Sequence, residues 1–299
     1  MNLDDLAEDC FAHILSFTSP GDACHCSLVL RSLRTMADLD SVWEKFLPSD
    51  RAEILSRLVC PITYSSNKEL FIRLCSPNLI DGGKKMFSIE KSTSKKCYML
   101  SARDVSITWA CNPLYWTWRP LVESRFAEVA ELRTIWWLEI CGTMNTQMLS
   151  PKTVYGAYLI VKLADRAYGL DSFPSEVSLE VGNFKSQGTV YLSTRHDQSR
   201  KQAAAAADLE HEHFSKRIRA SRRRVLEGDH GGGLCERKDG WMEVEIGSFY
   251  NEGCANNDVK MSLKEVKGAH LKGGLIVEGI EIRPKIELSD STALKYRTI

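Results

Sequence analysis

Four aromatic residues crowd into ten positions: Trp109, Tyr115, Trp116 and Trp118. Ala110-Cys111-Asn112-Pro113 between them reads as a turn after a strand that ends at Trp109, and Pro and Asn keep such a segment irregular. Some of these rings are therefore expected on a surface loop. An indole face suits the apolar C–H face of a sugar ring, and carboxylates or amides nearby then bond its hydroxyls. The same rings would equally fill a core, where aromatic side chains dominate the packing. The residues alone leave both readings open. Trp136 and Trp137 read as mid-strand on opposite faces, which makes at least one of them core, and Trp241 at a strand start is assigned to packing.

Other chemistry has weaker support. Cys24-His25-Cys26 and His211-Glu212-His213 are local clusters without the spaced second pair of ligands that zinc sites use, so no metal or other cofactor is expected. A buried helical thiol is the simpler role for Cys24 and Cys26. Neither a phosphate-cradling G-x-x-x-x-G-K-[ST] nor a G-x-S-x-G nucleophile elbow occurs. The run from Lys216 to Arg224 holds six cations and no acid. It fits a solvated helix face, a nuclear-import address or an anionic contact. Nucleic acid is disfavoured, because no aromatic residues interleave with the charges.

The elements that must position these residues fall into two halves. Up to about residue 75 the pattern is helical. Leu6, Cys10, Ile14 and Phe17 recur at near-helical spacing, and Ser19-Pro20-Gly21-Asp22 supplies an N-cap, a first-turn Pro and an acid at the third helical position. Further helices are predicted from Asp50 and over 67–75. After Gly82-Gly83 the period becomes two, as in Val177-Leu179-Val181, Met242-Val244-Ile246 and Val259-Met261-Leu263. Strands are also predicted at 86–90, 97–101, 105–109, 135–141, 154–163, 189–193 and 275–282. Many short strands between turn residues indicate an antiparallel sandwich or barrel. Residues 199–239 read as a long variable surface loop.

The 299 residues carry 39 basic and 39 acidic side chains. Residues 1–60 hold ten acids and five bases, so a small acidic module precedes a mildly basic remainder. No apolar stretch approaches the ~20 residues of a membrane span. The acidic opening MNLDDLAEDC is unlike a secretory leader, and ten scattered Cys read as reduced cytoplasmic or nuclear thiols.

Two family resemblances account for both halves. Residues 3–50 resemble an F-box: Leu6-Ala7-Glu8-Asp9 stands for the family's Leu-Pro-Glu-Asp, followed by Ile14-Leu15-Ser16, Pro20 to Ala23 and Ser27 to Val29. Ala7 replaces the usual Pro, and Leu33 stands where an aromatic residue is common. From about 67 to 285 the chain resembles the plant phloem protein 2 (phloem lectin) family, the domain of the Nictaba-type agglutinins. The matching stretches include IDGGKKMFSIEK, KKCYMLSARDVSITW, NPLYWTW, ESRFAEVAELRTIWWLEICG, MLSPKTVYGAYLIVKL, DGWMEVEIGSFYN and GGLIVEGIEIRP.

The resemblance implies a multidomain α plus β chain: a small all-α F-box over 1–50, a helical linker over 51–85, an antiparallel jelly-roll-like β-sandwich over 86–285 and a tail over 286–299. It implies a non-catalytic substrate receptor of an SCF-type ubiquitin ligase. Leu6, Ile14, Leu15, Leu28 and Val29 would meet a Skp-type adaptor and through it a cullin. It also implies an N-acetylglucosamine site formed by Trp109, Trp116, Glu265 and Asp258, the last standing where the family has Glu. Three alternatives remain: a sandwich that recognises a polypeptide, a nucleocytoplasmic lectin with a degenerate F-box, and a glycoside hydrolase, whose two carboxyls would face each other at ~5–9.5 Å.

Overall fold

The computed structural model describes residues 8–15, 17–29, 31–194, 232–268 and 270–285. Leu6, the basic run 216–224 and the tail 286–299 lie outside the described residues, as do most of the 199–239 connection and the side chains of Val29 and Leu33.

Among the described residues six helices come first: α1 (Glu8–Leu15), α2 (Pro20–Val29), α3 (Arg31–Ala37), α4 (Asp40–Phe46), α5 (Arg51–Ser56) and α6 (Asn67–Leu74). The start of α2 follows the expected reciprocal cap. Ser19 Oγ accepts the Asp22 N–H (3.1 Å), and Asp22 Oδ2 accepts the Ser19 N–H (3.2 Å). The Ser19 hydroxyl, donating to Asp22 Oδ2 (2.8 Å), holds the Asp22 carboxyl below its ordinary range with help from the Ser19 N–H. The α1 stripe is turned round from expectation. Cys10 and Ile14 are exposed, as is Phe17 beyond the helix end, while Ala12 and Leu15 are buried. Neighbouring helical residues lie 100° apart, so Ile14 and Leu15 cannot share a face. Cys24 is also exposed and Cys26 half-buried, against the buried role expected for them.

Trp43, Phe46 and Phe71 pack α4 on α6, with ring centroids 5.2–6.4 Å apart, and Trp43 donates its indole N–H to the Ala37 carbonyl (2.7 Å). Residues 51–85 are packed at both ends, with 59–65 mostly exposed between them. Ile54, Leu70, Phe71 and Leu74 are buried, Leu58 bridges to Ile80, and Arg57 makes two 2.9 Å hydrogen bonds to Asp81.

Fourteen strands follow among the described residues. In chain order they are β1 (Asn78–Ile80), β2 (Lys85–Ile89), β3 (Lys96–Ser101), β4 (Ser106–Ile107), β5 (Trp116–Arg119), β6 (Val129–Leu132) and β7 (Leu138–Asn145). Then come β8 (Thr153–Tyr168), β9 (Ser175–Val181), β10 (Phe184–Thr194), β11 (Gly232–Glu236), β12 (Met242–Asn251), β13 (Asp258–Glu265) and β14 (Gly273–Pro284). One layer runs β1-β2-β3-β14-β8-β12-β11, with the β5–β6 pair joined to β14; the other runs β10-β9-β13-β7-β4. The layers meet edge to edge where β10 pairs β11. That pairing is parallel, unlike the rest, so the sheet curls over continuously and is not a purely antiparallel pair of layers. Core side chains fill the space between, and Gly142 of β7 sits so close to β14 that a Cβ there would be 2.9 Å from Ile280 Cδ1.

The curled sheet has two ends. At one, Lys96 pairs with Asp50 (2.9 Å), and a cleft of about 610 Å³ lies between the helices and the β2–β3 hairpin, lined by Phe17, Lys45, Ser94, Lys95 and Ser150 among others. At the opposite end gather the loops after β4, β6, β8 and β13. No helix among the described residues is long and apolar enough to cross a membrane.

Candidate functional site

The loop end is built from the chain's aromatic residues. Thr108 donates its N–H to the Glu139 carbonyl (3.0 Å), which carries the chain across the start of β7. Trp109 then takes φ +57°, a left-handed conformation costing a bulky residue about 1–3 kcal/mol. Hydrogen bonds from Ala110 N–H to Ile107 O and from Asn112 N–H to Trp109 O close the turn. The Trp109 indole stands 44% exposed, 5.2 Å from the Tyr115 ring centroid and tilted 35° to it.

Trp116 does not join it as a second platform. It opens β5, not a loop, and is only 2% exposed, with its indole N–H given to the Thr108 carbonyl (3.1 Å). Trp118 acts likewise, donating to the Ala110 carbonyl (3.0 Å) beneath the Arg103 guanidinium. Both indoles brace the turn that presents Trp109, and Trp116 offers a ligand no free face.

The two expected acids do not meet. Asp258 and Glu265 are the first and last residues of β13. Seven steps along a strand span ~23 Å and, being odd in number, point the side chains to opposite faces. Asp258 is exposed at the far end, in a cleft of about 510 Å³ with Asn145, Asn256 and Glu180. Glu265 lies inside, 4% exposed. It pairs with the buried Lys272 ammonium, and its Oε1 accepts the Gly268 N–H (3.0 Å). A hydrolase using this pair would need facing carboxyls, and the strand holds them too far apart.

The loop end does gather two indoles of which the sequence puts at least one in the core. Trp136 and Trp137 precede β7 and do not lie within a strand, and both are exposed (54% and 42%). The Trp137 indole N–H reaches Glu139 Oε2 (3.1 Å), and Glu139 also pairs with Lys264 (2.7 Å). The Lys264 ammonium, with the Trp137 N–H, holds the Glu139 carboxyl below its usual range; Glu139 in turn raises Lys264. A signal was present. Leu138, Ile140 and Met144 point inward, so the same alternation run backward puts Trp137 outward with Glu139.

Cross-links join the loops into one surface. Arg133 donates from its N–H to the Tyr115 carbonyl (2.8 Å) and from Nη1 to the Pro113 carbonyl (2.9 Å). The Tyr168 hydroxyl bonds Thr134 Oγ1 (2.9 Å). Lys272 Nζ donates to the Trp136 carbonyl (2.7 Å). Exposed indole faces beside a polarised Glu139–Lys264 pair can stack on an apolar ring face and bond the polar groups at its rim. All ten cysteines are free, and burial pushes the nearby Cys141 thiol up, away from the thiolate.

On the helices, Ile14, Phe17 and Leu28 form exposed apolar positions, Leu28 being 82% exposed. Leu15 is core and is withdrawn from any contact surface.

Residues 95–284 match the family described as Phloem protein 2. Along nearly the whole chain the sequence is similar to three Arabidopsis thaliana proteins. It is 45% identical to F-box protein PP2-B15 (94% of this chain, 96% of that one). It is 40% identical to F-box protein PP2-B10 (94% and 93%) and 42% identical to F-box protein VBF (94% and 99%). Among solved structures, a Podospora anserina GH26-CBM35 β-(1,4)-mannanase aligns with 64% of this chain and 28% of its own at 9% identity and a TM-score of 0.29.

Proposed function

Since this chain belongs to the plant F-box proteins that carry a phloem protein 2 domain, we propose that it is a non-catalytic substrate receptor of an SCF-type ubiquitin ligase, selecting clients that bear N-acetylglucosamine-containing glycans. The observation that carries the glycan reading is the exposure of three indoles, Trp109, Trp136 and Trp137, on loops at one end of the sheet, with Trp137 bonded to Glu139 and Glu139 paired with Lys264. An N-acetyl sugar offers an apolar ring face to an indole, and its hydroxyl and amide groups to a carboxylate and an ammonium. Trp116 and Glu265 support this surface from within, and Asp258 has no part in it.

The ligase reading is supported by the exposed Ile14, Phe17 and Leu28, an apolar set suited to an adaptor's apolar surface. The helices pack toward the sheet end marked by Lys96 and Asp50, opposite the aromatic loops. An adaptor on the helices would leave the client surface free. Ubiquitin transfer would then be the work of other subunits, in the cytoplasm or nucleus.

A second reading, recognition of a polypeptide, is favoured by exposed Leu114 and Leu271 among the rings. The deciding experiment couples co-purification of a Skp-type adaptor with a glycan array on the full chain. Adaptor capture with N-acetylglucosamine binding supports the proposal. Client capture that survives enzymatic deglycosylation, with an empty array, supports the second reading.

A further inference from the structure

We propose that Glu265 and Lys272 act as a buried positioning couple that fixes the Trp136–Trp137 segment for its ligand, and that Glu265 does not itself touch the glycan. This inference rests on the glycan reading above.

Lys272 is 1% exposed, at the threshold of β14. Its backbone bridges Ile135 in both directions, through Ile135 N–H to Lys272 O (2.9 Å) and Lys272 N–H to Ile135 O (2.8 Å). Its ammonium donates to the Trp136 carbonyl (2.7 Å) and pairs with Glu265. One side chain thus ties the tryptophan segment, the end of β13 and the start of β14 together. A buried ammonium without a carboxylate would be strongly unfavourable, so Glu265 is the condition for Lys272 to sit there.

The turn between them is shut down onto the pair. A Cβ on Gly268 would lie 2.7 Å from Glu265 Oε1 and 2.5 Å from His270 Cε1. Glu265 also belongs to the inward row of β13 with Met261 and Leu263, whereas Lys264 belongs to the outward row. The carboxylate therefore faces the interior. Two exposed indoles on an irregular segment would otherwise lose much conformational freedom on binding. Anchoring the segment beforehand removes that cost, which is how a supporting shell raises affinity.

The test compares the full chain with Lys272→Met and Glu265→Gln, using chitotriose titration and amide hydrogen exchange. Lys272→Met is expected to lower chitotriose affinity at least tenfold and to raise exchange at residues 135–137, leaving β9 and β10 amides unchanged. Glu265→Gln, which keeps an acceptor for the Gly268 N–H, is expected to do the same, and it serves alone if Lys272→Met does not fold. Unchanged exchange at 135–137 overturns the proposal whatever the sugar result. So does loss of binding in Glu265→Gln with full binding in Lys272→Met, which would make Glu265 a direct contact. If the wild-type chain exchanges normally but binds no chitotriose, the glycan reading fails, and this inference with it. If the wild type binds and both variants bind equally well, only this inference fails.

Discussion

Asp258 and Glu265 occupy the two ends of one strand and face opposite sides of it, the first exposed and the second locked to Lys272 in the interior. Two acids that resemblance placed in one site are thus separated by strand parity and by length. Asp258→Ala is expected to leave glycan affinity and thermal stability within experimental error, since surface changes of this kind stay within about 0.5 kcal/mol. Titration calorimetry and a melting curve check it; a tenfold loss of affinity would return Asp258 to the site.

Trp109 and Trp116 should separate cleanly. Trp109→Ala removes an exposed ring, so glycan binding is lost with little change in melting temperature. Trp116→Ala empties a packed position and should destabilise the sandwich by about 3–5 kcal/mol, measured by denaturant unfolding. A stable Trp116→Ala variant that binds nothing would contradict this division.

Trp137→Ala also removes the donor to Glu139. Weaker glycan binding at constant stability is expected, with partial retention in Trp137→Phe, which keeps a stacking face. Binding unaffected by either change would remove Trp137 from the surface.

The helical surface makes a matching pair of outcomes. Leu28→Asp should abolish co-purification of the adaptor while the chain still melts cooperatively. Leu15→Asp buries an unpaired charge and should unfold the helices themselves. Circular dichroism distinguishes the two.

Asp81 gives an acid limb of known sign. Its carboxyl is held below the ordinary value by the Arg57 guanidinium, with help from Lys85. Because the folded value is the depressed one, the stabilisation is present above the unfolded value of ~4 and fades as pH falls through the folded value. The pair is partly exposed, so about 1–2 kcal/mol is expected. Asp81→Asn should lower stability at pH 7 and flatten its fall below about pH 4, as read from urea midpoints across pH.

Periodicity and cap chemistry made much of the fold legible. The Ser19–Asp22 cap and the alternations in β9, β12 and β13 are local, and they depend on residues within a few positions of each other. The strands β1, β5, β6 and β11 are not legible in the sequence because each takes its order from pairing with a neighbour, which no local pattern specifies. Trp136 and Trp137 were misplaced by a boundary: a strand thought to start at 135 starts at 138.

Sequence by itself determined the helical and period-two halves, because these are written in spacing along the chain, and its motifs carried the resemblance to the family. Only the tertiary structure decided which indoles face outward. Exposure depends on partners far away in sequence: Trp116 is buried once Thr108 takes its N–H, and Trp136 is held at the surface by Lys272, 136 positions on. Glu265 likewise is an interior anchor because the β13–β14 turn brings a lysine beneath it, a meeting that no local pattern specifies.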